Sequence, residues 1–407
     1  MSERLTALSG LLGVPESSIS RVETGGMLSD MFLVQNEKFK PEKLFVKISP
    51  LPETFSGQIC SRLNLFEREI KAYHLFRTQT SDLSFDTLVL PQLPHVDAST
   101  QAGSPDFQYL AIEDLRERKY KPAVGSVREA LSLSQTSTIM KALAEFHAIG
   151  YCFLCSVKRG ERQFTDLDEV FFTPDSSELS SFFSDFFPSG IEDLRNRSTL
   201  FGNKGKQLAD RIEGLALHQV PKEDHLSREA LEGLPSESLV LLAHGDFFCP
   251  NAMMEKREEA LQGEVETNVS SPEQCALIDF QWTHVSDNPL PDLFFFLFSS
   301  TPASIQRDNF DSLLGVYTDA FVSCVKVNEE KRVGKFTTEQ ETALRAVLKR
   351  SLSDPAKRKS AARVCIVQLM LGDLTMFVPE DADADSAGEP AERIAAALET
   401  LVGLFEG

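Results

Sequence analysis

Positive charge is what this chain most lacks. Its 407 residues carry 41 Lys+Arg against 61 Asp+Glu, a formal net charge of −20 at pH 7. Proteins that grip nucleic acid or anionic membranes in general need a basic footprint, so this balance argues against that class. It leaves room for a local basic pocket, since Lys47 alone can supply one phosphate contact. Long apolar runs are missing too. The longest, Leu293–Phe298, falls far short of the roughly 20 residues that span a bilayer. Met1-Ser-Glu-Arg-Leu-Thr-Ala7 lacks the basic-then-apolar pattern of a secretion signal. Seven scattered cysteines, an odd number, do not form a disulfide framework. The expectation is a cytoplasmic protein with no membrane span and no nucleic-acid partner. Two glycosylation-like triplets, Asn196-Arg-Ser198 and Asn268-Val-Ser270, are then chance matches. The seven histidines show no metal-ligand spacing.

What is present is an ordinary folded composition, 42% hydrophobic and 25% charged. The length exceeds one ordinary core and suits two lobes. Leu5, Leu8, Leu11 and Leu12 predict a first helix, ended near Pro15. Met31–Val34 and Leu44–Ile48 alternate as strands. Asn64–Thr78 is helical, with Phe66, Ile70 and Tyr73 on one stripe and Glu69 beside them. Tyr109–Ile112 is a strand, and Glu113-Asp-Leu-Arg begins a polar crossing. The boundary between lobes is placed there, giving residues 1–113 and 114–407. Ser132–Gly150 is predicted helical, residues 160–200 short helices and loops, and Glu255–Gln274 an enlarged hairpin loop. Pro379–Gly388 looks like a solvated acidic linker, and Arg393–Phe405 like a last amphipathic helix. No internal repeats are found.

The chemistry concentrates in Leu239-Val-Leu-Leu-Ala-His-Gly-Asp-Phe-Phe-Cys-Pro-Asn251 and Cys275-Ala-Leu-Ile-Asp-Phe-Gln-Trp282. An apolar strand is followed by His-Gly-Asp-x-x-x-x-Asn, and a second strand ends in Asp-Phe. This is the layout of a phosphoryl-transfer site. Asp246 accepts a proton from a substrate hydroxyl, while Asn251 and Asp279 hold the magnesium that bridges ATP phosphates. The five-residue step from Asp246 to Asn251 is that of the protein kinase catalytic loop. One short loop at a strand end must aim a base at the acceptor and an amide oxygen at a metal.

His-Gly-Asp in place of His-Arg-Asp points away from protein kinases. The chain resembles the aminoglycoside phosphotransferase and choline kinase group, and within it the CHK kinase-like, or ecdysteroid kinase-like, proteins. The supporting segments stand in order: Glu23-Thr-Gly-Gly-Met-Leu-Ser-Asp-Met-Phe-Leu-Val34, Leu44-Phe-Val-Lys-Ile48, Phe66-Glu-Arg-Glu-Ile-Lys-Ala-Tyr73, Ala111-Ile-Glu-Asp-Leu115, Ala142-Leu-Ala-Glu-Phe-His147, the catalytic pair, and Pro291-Asp-Leu-Phe-Phe-Phe296. They span roughly residues 10–405; no single segment is specific, but the ordered set is. The resemblance implies an α+β, two-lobed protein-kinase-like fold, with a small mixed N-lobe and a larger, mostly helical C-lobe. It implies that Lys47, held by Glu69, anchors the α- and β-phosphates of ATP. Gly25, Gly26 and Ser29 form a turn whose amides approach phosphate. Ala111 to Glu113 offer backbone bonds to adenine. Asp292 holds the catalytic loop, and His244 hydrogen-bonds backbone near it.

Other features carry less. Cys152-Phe-Leu-Cys155 has no second CxxC or His pair and signals buried packing. Gly202-Asn-Lys-Gly-Lys-Gln207 lacks the first Gly and the Ser/Thr of a P-loop. Trp282 either stacks on substrate or packs beside its strand. Choline kinases, as a family, carry Asp-Phe-Glu where this chain has Asp279-Phe-Gln281, which weakens the case for a quaternary ammonium acceptor. The expected activity is ATP- and Mg2+-dependent phosphorylation of a small-molecule hydroxyl, with a steroid-like or other lipophilic alcohol as the acceptor. Phe182, Phe183, Phe186 and Phe187 are candidates for its apolar contacts. The rival is a nucleotide-binding pseudokinase acting through partners; retention of all five polar site residues speaks against it.

Overall fold

The apolar alternation of the first hundred residues builds one sheet, and everything chemical hangs from its inner face. The computed structural model describes residues 2–22, 29–79, 83–91, 108–163, 167, 169–172, 187–201, 204–217, 226–235, 238–255, 273–370, 374–378 and 384–406. Helix α1 (Ser2–Leu12) precedes strands β1 (Ile19–Arg21), β2 (Asp30–Gln35) and β3 (Lys43–Ile48). Helices α2 (Phe55–Arg62) and α3 (Leu65–Gln79) follow, then β4 (Leu88–Val89) and β5 (Tyr109–Glu113). The antiparallel sheet runs β1-β2-β3-β5.

Side chains alternate across a strand. In β3 this sends Leu44, Val46 and Ile48 into the cluster under α1, with Leu8 and Leu12. Phe45 and Lys47 take the other face, and Phe45 packs against the main core. The position of Lys47 is thus fixed by the hydrophobic pattern around it.

Next come β6 (Tyr120–Pro122), α4 (Leu133–Lys158), α5 (187–196), α6 (Gly205–Gly214) and α7 (Arg228–Gly233). Then follow β7 (Leu241–Ala243), β8 (Ala252–Glu255), β9 (Cys275–Leu277) and β10 (His284–Ser286). The chain finishes with α8 (Leu290–Ser300), α9 (Ala303–Asp308), α10 (Phe310–Val333), α11 (Thr338–Ser353), α12 (Pro355–Met370) and α13 (Ala384–Glu406). A second sheet has the order β4-β9-β8-β6, with β4 parallel to β9. β7 and β10 form an antiparallel ribbon. A small part of mixed sheet and helix is followed by a larger, mostly helical part, the α+β arrangement expected from the sequence.

Helix α4 starts as the sequence predicts, on a capping box between Ser132 and Gln135. It does not stop at Gly150. A Cβ on Gly150 would stand 2.5 Å from Leu242 N, so this glycine brings α4 against β7 rather than ending the helix. Cys152 and Cys155 therefore lie inside α4, both buried. The stretch expected as an acidic linker is helical from Ala384 and kinks at Gly388. Helix α8 is buried along its whole length, including Leu293–Phe298. At roughly 2 kcal/mol per buried large apolar side chain, it is a firmly held post. Among the described residues no helix is long and apolar enough to cross a membrane.

Candidate active site

Lys47, on the inner face of β3, is 6% exposed and reaches two carboxylates. Its Nζ lies 2.7 Å from Glu69 Oε1 and 3.0 Å from Asp279 Oδ1. Burial lowers the ammonium pKa, but Asp279 and Glu69 outweigh it and raise the group above its ordinary value. Glu69, on α3, is pushed upward by burial; Lys47 opposes this and Asp279 adds to it. A hydrogen bond with the Phe280 backbone also favours the charged form of Glu69. Helix α3 thus holds both the lysine and the turn that carries Asp279.

Asp279 follows β9 with φ +68°, a left-handed conformation uncommon for a residue with a Cβ. Phe280, fully buried, packs its ring 5.1 Å from Tyr73, 4.9 Å from Phe76, 5.5 Å from Phe146 and 5.2 Å from His244. This aromatic cluster ties α3, α4 and the catalytic loop to one turn.

The loop after β7 turns at Gly245, where φ is +84°. A Cβ there would sit 2.3 Å from Trp282 O, so the middle residue of His-Gly-Asp must be glycine. Asp292, near the start of α8, grips this turn. Its Oδ2 accepts from His244 N at 2.7 Å and its Oδ1 from Gly245 N at 2.8 Å. His147 Nε2 lies 2.9 Å from Asp292 Oδ2, and its Nδ1 lies 2.7 Å from the Tyr317 hydroxyl. Burial works to raise the Asp292 carboxyl, yet His147 and the loop amides hold it below its ordinary value. An ionised Asp292 accepts from Nε2–H, which leaves Nδ1 to accept from the tyrosine. His244 Nε2 donates to Ile278 O at 3.0 Å, and burial lowers its pKa. Its backbone contacts match the expectation from sequence.

Asp246, half-buried, follows the turn. Burial, then Asp279 and Asp292, push its carboxyl up to about 7. Asn251 Nδ2 donates to Asp246 O at 2.7 Å. That contact orients the amide and leaves Oδ1 available to accept or coordinate.

The strand register also bears on Ala111 to Glu113. Ser49 N bonds Gln108 O and Asp114 N bonds Lys43 O. The alternation of an antiparallel ladder then turns the main-chain groups of Tyr109, Ala111 and Glu113 away from β3, toward the sheet edge. The Glu113 side chain pairs with Arg118 at 3.2 Å.

Lys47, Glu69, Asp246, Asn251 and Asp279 are therefore brought together. Ser29 is half-buried at the start of β2, and Asp30 next to it pairs with Arg4 and Arg21 at 3.0 and 3.1 Å. Gly25 and Gly26 lie outside the described residues, as do Phe182, Phe183 and Phe186. Phe187 belongs to the main core. Trp282 is partly exposed, with its backbone against Gly245. Sequence reasoning gave no role to His147, Tyr317 or Gln368, whose Nε2 donates to Gly245 O at 2.8 Å. His147 stood in one of the ordered segments; Tyr317 and Gln368 left no signal in spacing. A surface groove of about 490 Å³ beside Thr87, Ser134, Lys141 and Glu273 shares no residue with this cluster.

Among the described residues no group of three or more His, Cys, Asp or Glu could hold a metal ion alone. The donors here are one carboxylate, Asp279, and one amide oxygen, Asn251. That sparse oxygen set fits Mg2+, which keeps waters and takes substrate phosphates to complete its shell.

A model described as the ecdysteroid kinase-like family matches residues 24–329. No curated protein gives a significant match. Among solved structures, an amicoumacin kinase in complex with AMP-PNP, Ca2+ and Ami aligns over 96% of this chain and 89% of its own. Its identity is 10% and its TM-score 0.42. A Plasmodium vivax ethanolamine kinase aligns over 94% of this chain and 83% of its own, at 9% identity and a TM-score of 0.39. Both likenesses are distant.

Proposed function

Because the chain belongs to the ecdysteroid kinase-like family, we propose that it is an ATP- and Mg2+-dependent phosphotransferase acting on a hydroxyl of a small molecule. The observation that carries this is the convergence of Lys47, Glu69, Asp246, Asn251 and Asp279 from four separate segments.

In this reading Lys47 binds the α- and β-phosphates, held in place by Glu69. The outward main-chain groups of Ala111 and Glu113 bond the adenine edge. Gly25, Gly26 and Ser29, of which only Ser29 is among the described residues, are the expected contacts to the phosphates. Asn251 Oδ1 and Asp279 would hold the metal, which neutralises charge developing between the β- and γ-phosphates. Asp246 accepts the acceptor's proton as its oxygen bonds the γ-phosphorus, and the bond to the β–γ bridging oxygen breaks. A carboxyl near pH 7 is matched to that task at neutral pH. Asp292 keeps the loop in position by bonding its amides. The N-lobe, residues 1–113, supplies the nucleotide contacts, and residues 114–407 the rest.

The family's name and Gln281, in place of a carboxylate, favour an uncharged, lipophilic alcohol. Specificity constants for choline, an aminoglycoside and a set of sterol alcohols, measured in one buffer, test this. The sterol alcohols should turn over best. Choline as the clear winner overturns the acceptor reading. Tight nucleotide binding with no turnover of any alcohol favours the pseudokinase instead.

A further inference from the structure

Cations are scarce on this chain, yet many stand at one corner. Between residues 349 and 363 there are six, Lys349, Arg350, Lys357, Arg358, Lys359 and Arg363, against one acid, Asp354. The stretch comprises the end of α11, the turn and the first half of α12. Two of the six have local partners. Lys357 pairs with Asp287 at 2.9 Å. Arg358 Nε donates to Leu352 O at 2.8 Å, satisfying a carbonyl at the end of α11. Asp354 is occupied as well, accepting from Ala356 N at 2.8 Å. Lys349, Arg350 and Lys359 are exposed, and no carboxylate of the described residues pairs with them. Arg363 is partly covered, and its Nε is buried without a hydrogen-bond partner among the described residues.

Lys349 and Arg350 near the C-terminus of α11 suit its dipole. The start of α12 is the opposite case. Asp354 caps it, its carboxylate accepting from Ala356 N and Lys357 N at 2.8 and 3.3 Å, but the first turn itself holds no acid, and Lys357, Arg358 and Lys359 crowd the positive end. Only part of that local conflict is relieved within the chain, which points to something outside it.

Position narrows the ligand. Helix α12 runs from this corner to the catalytic loop, where Gln368 bonds Gly245 O. At 1.5 Å per residue, Lys359 lies roughly 14 Å along the helix from Gln368. A small acceptor held at Asp246 does not reach it. The corner fits an extended anionic surface beside the site.

We propose that the α11–α12 corner docks the protein on an anionic lipid bilayer next to its acceptor site. The inference rests on the lipophilic-alcohol reading, because such an acceptor partitions into bilayers. The net charge of −20 does not forbid it. Screening beyond about 8 Å at physiological ionic strength leaves the facing patch to dominate. Each Lys or Arg close to an anionic leaflet strengthens binding about fivefold, so three contribute about a hundredfold.

Cosedimentation of the full chain with phosphatidylcholine vesicles, with and without phosphatidylserine, tests the proposal. Binding should need phosphatidylserine and weaken with salt. The combined Lys349→Glu, Arg350→Glu and Lys359→Glu variant should lose at least about a hundredfold in binding. Its turnover of a water-soluble alcohol should not change, and its thermal unfolding should shift only slightly, because acids cost a little near the end of α11 and gain a little near the start of α12. The corresponding glutamine variant, which only neutralises charge, should lose less. Equal binding to both vesicle types overturns the proposal, as does unchanged binding by the Glu variant. Capture by polyglutamate but not by vesicles also overturns it, in favour of an acidic protein partner. The readout needs no catalysis. If vesicles bind as expected while no alcohol is phosphorylated, docking stands and the acceptor reading falls.

Discussion

Replacing Asp246 by Asn should push activity and stability in opposite directions. The carboxyl sits at about 7, raised from 3.8 by burial and by Asp279 and Asp292. A folded-state pKa above the unfolded one means that ionisation costs the native state. Stability from this group is intact below about pH 4 and is lost as pH rises to about 7. Three units correspond to about 4 kcal/mol at most. Asp246 is only half-buried, so solvent screening reduces this to about 2 kcal/mol. Asn carries no such cost. The metal-free Asp246→Asn protein should therefore be about 2 kcal/mol more stable than wild type at pH 8, with the difference shrinking toward pH 4. Turnover should fall roughly 10²–10⁴-fold, the usual contribution of a general base. ATP–Mg2+ affinity should stay within a few-fold, because in the proposed mechanism the group acts on the acceptor and not on the nucleotide. Denaturant unfolding at several pH values, single-turnover kinetics and nucleotide titration measure the three quantities separately. A destabilised Asn variant refutes the electrostatic reasoning. Near-normal turnover removes Asp246 from its catalytic role.

Two further substitutions probe the frame around it. Asp279→Ala should abolish most of the Mg2+ enhancement of ATP binding, since it deletes the anionic oxygen donor; titrations with and without Mg2+ check this, and a retained enhancement makes the metal assignment wrong. Gly245→Ala should destabilise the fold by about 2 kcal/mol or more, from the left-handed backbone and the clash with Trp282 O; unfolding at or near wild-type stability means the loop has another accessible shape.

Much of the site was legible because local rules place its residues. Strand alternation puts Lys47 on the inner face, and the helical stripe of Phe66, Ile70 and Tyr73 carries Glu69 with it. The step from Asp246 to Asn251 is short enough to survive as a motif. What stayed hidden was long-range. His147 and Tyr317 are 170 residues apart, and their contact leaves no period in the sequence. Strands β8 and β10 span only four and three residues, too short for alternation to announce them. Gly150 misled as a helix stop because glycine serves equally for close approach, which only the packing partner Leu242 reveals.

The spacing of the two carboxylates around Lys47 also has a consequence in time. Glu69 lies 22 residues downstream of the lysine, Asp279 232 residues. On a ribosome adding about 5–20 residues per second, the lysine waits roughly 12–46 s between its own addition to the chain and that of its second partner. During that interval the nascent chain holds a lysine and one carboxylate, but neither Asp246, Asn251 nor Asp279 for most of it. The five residues of the proposed centre are all present only once Asp279 has been added to the chain, so a nascent chain shorter than that has nothing with which to spend ATP.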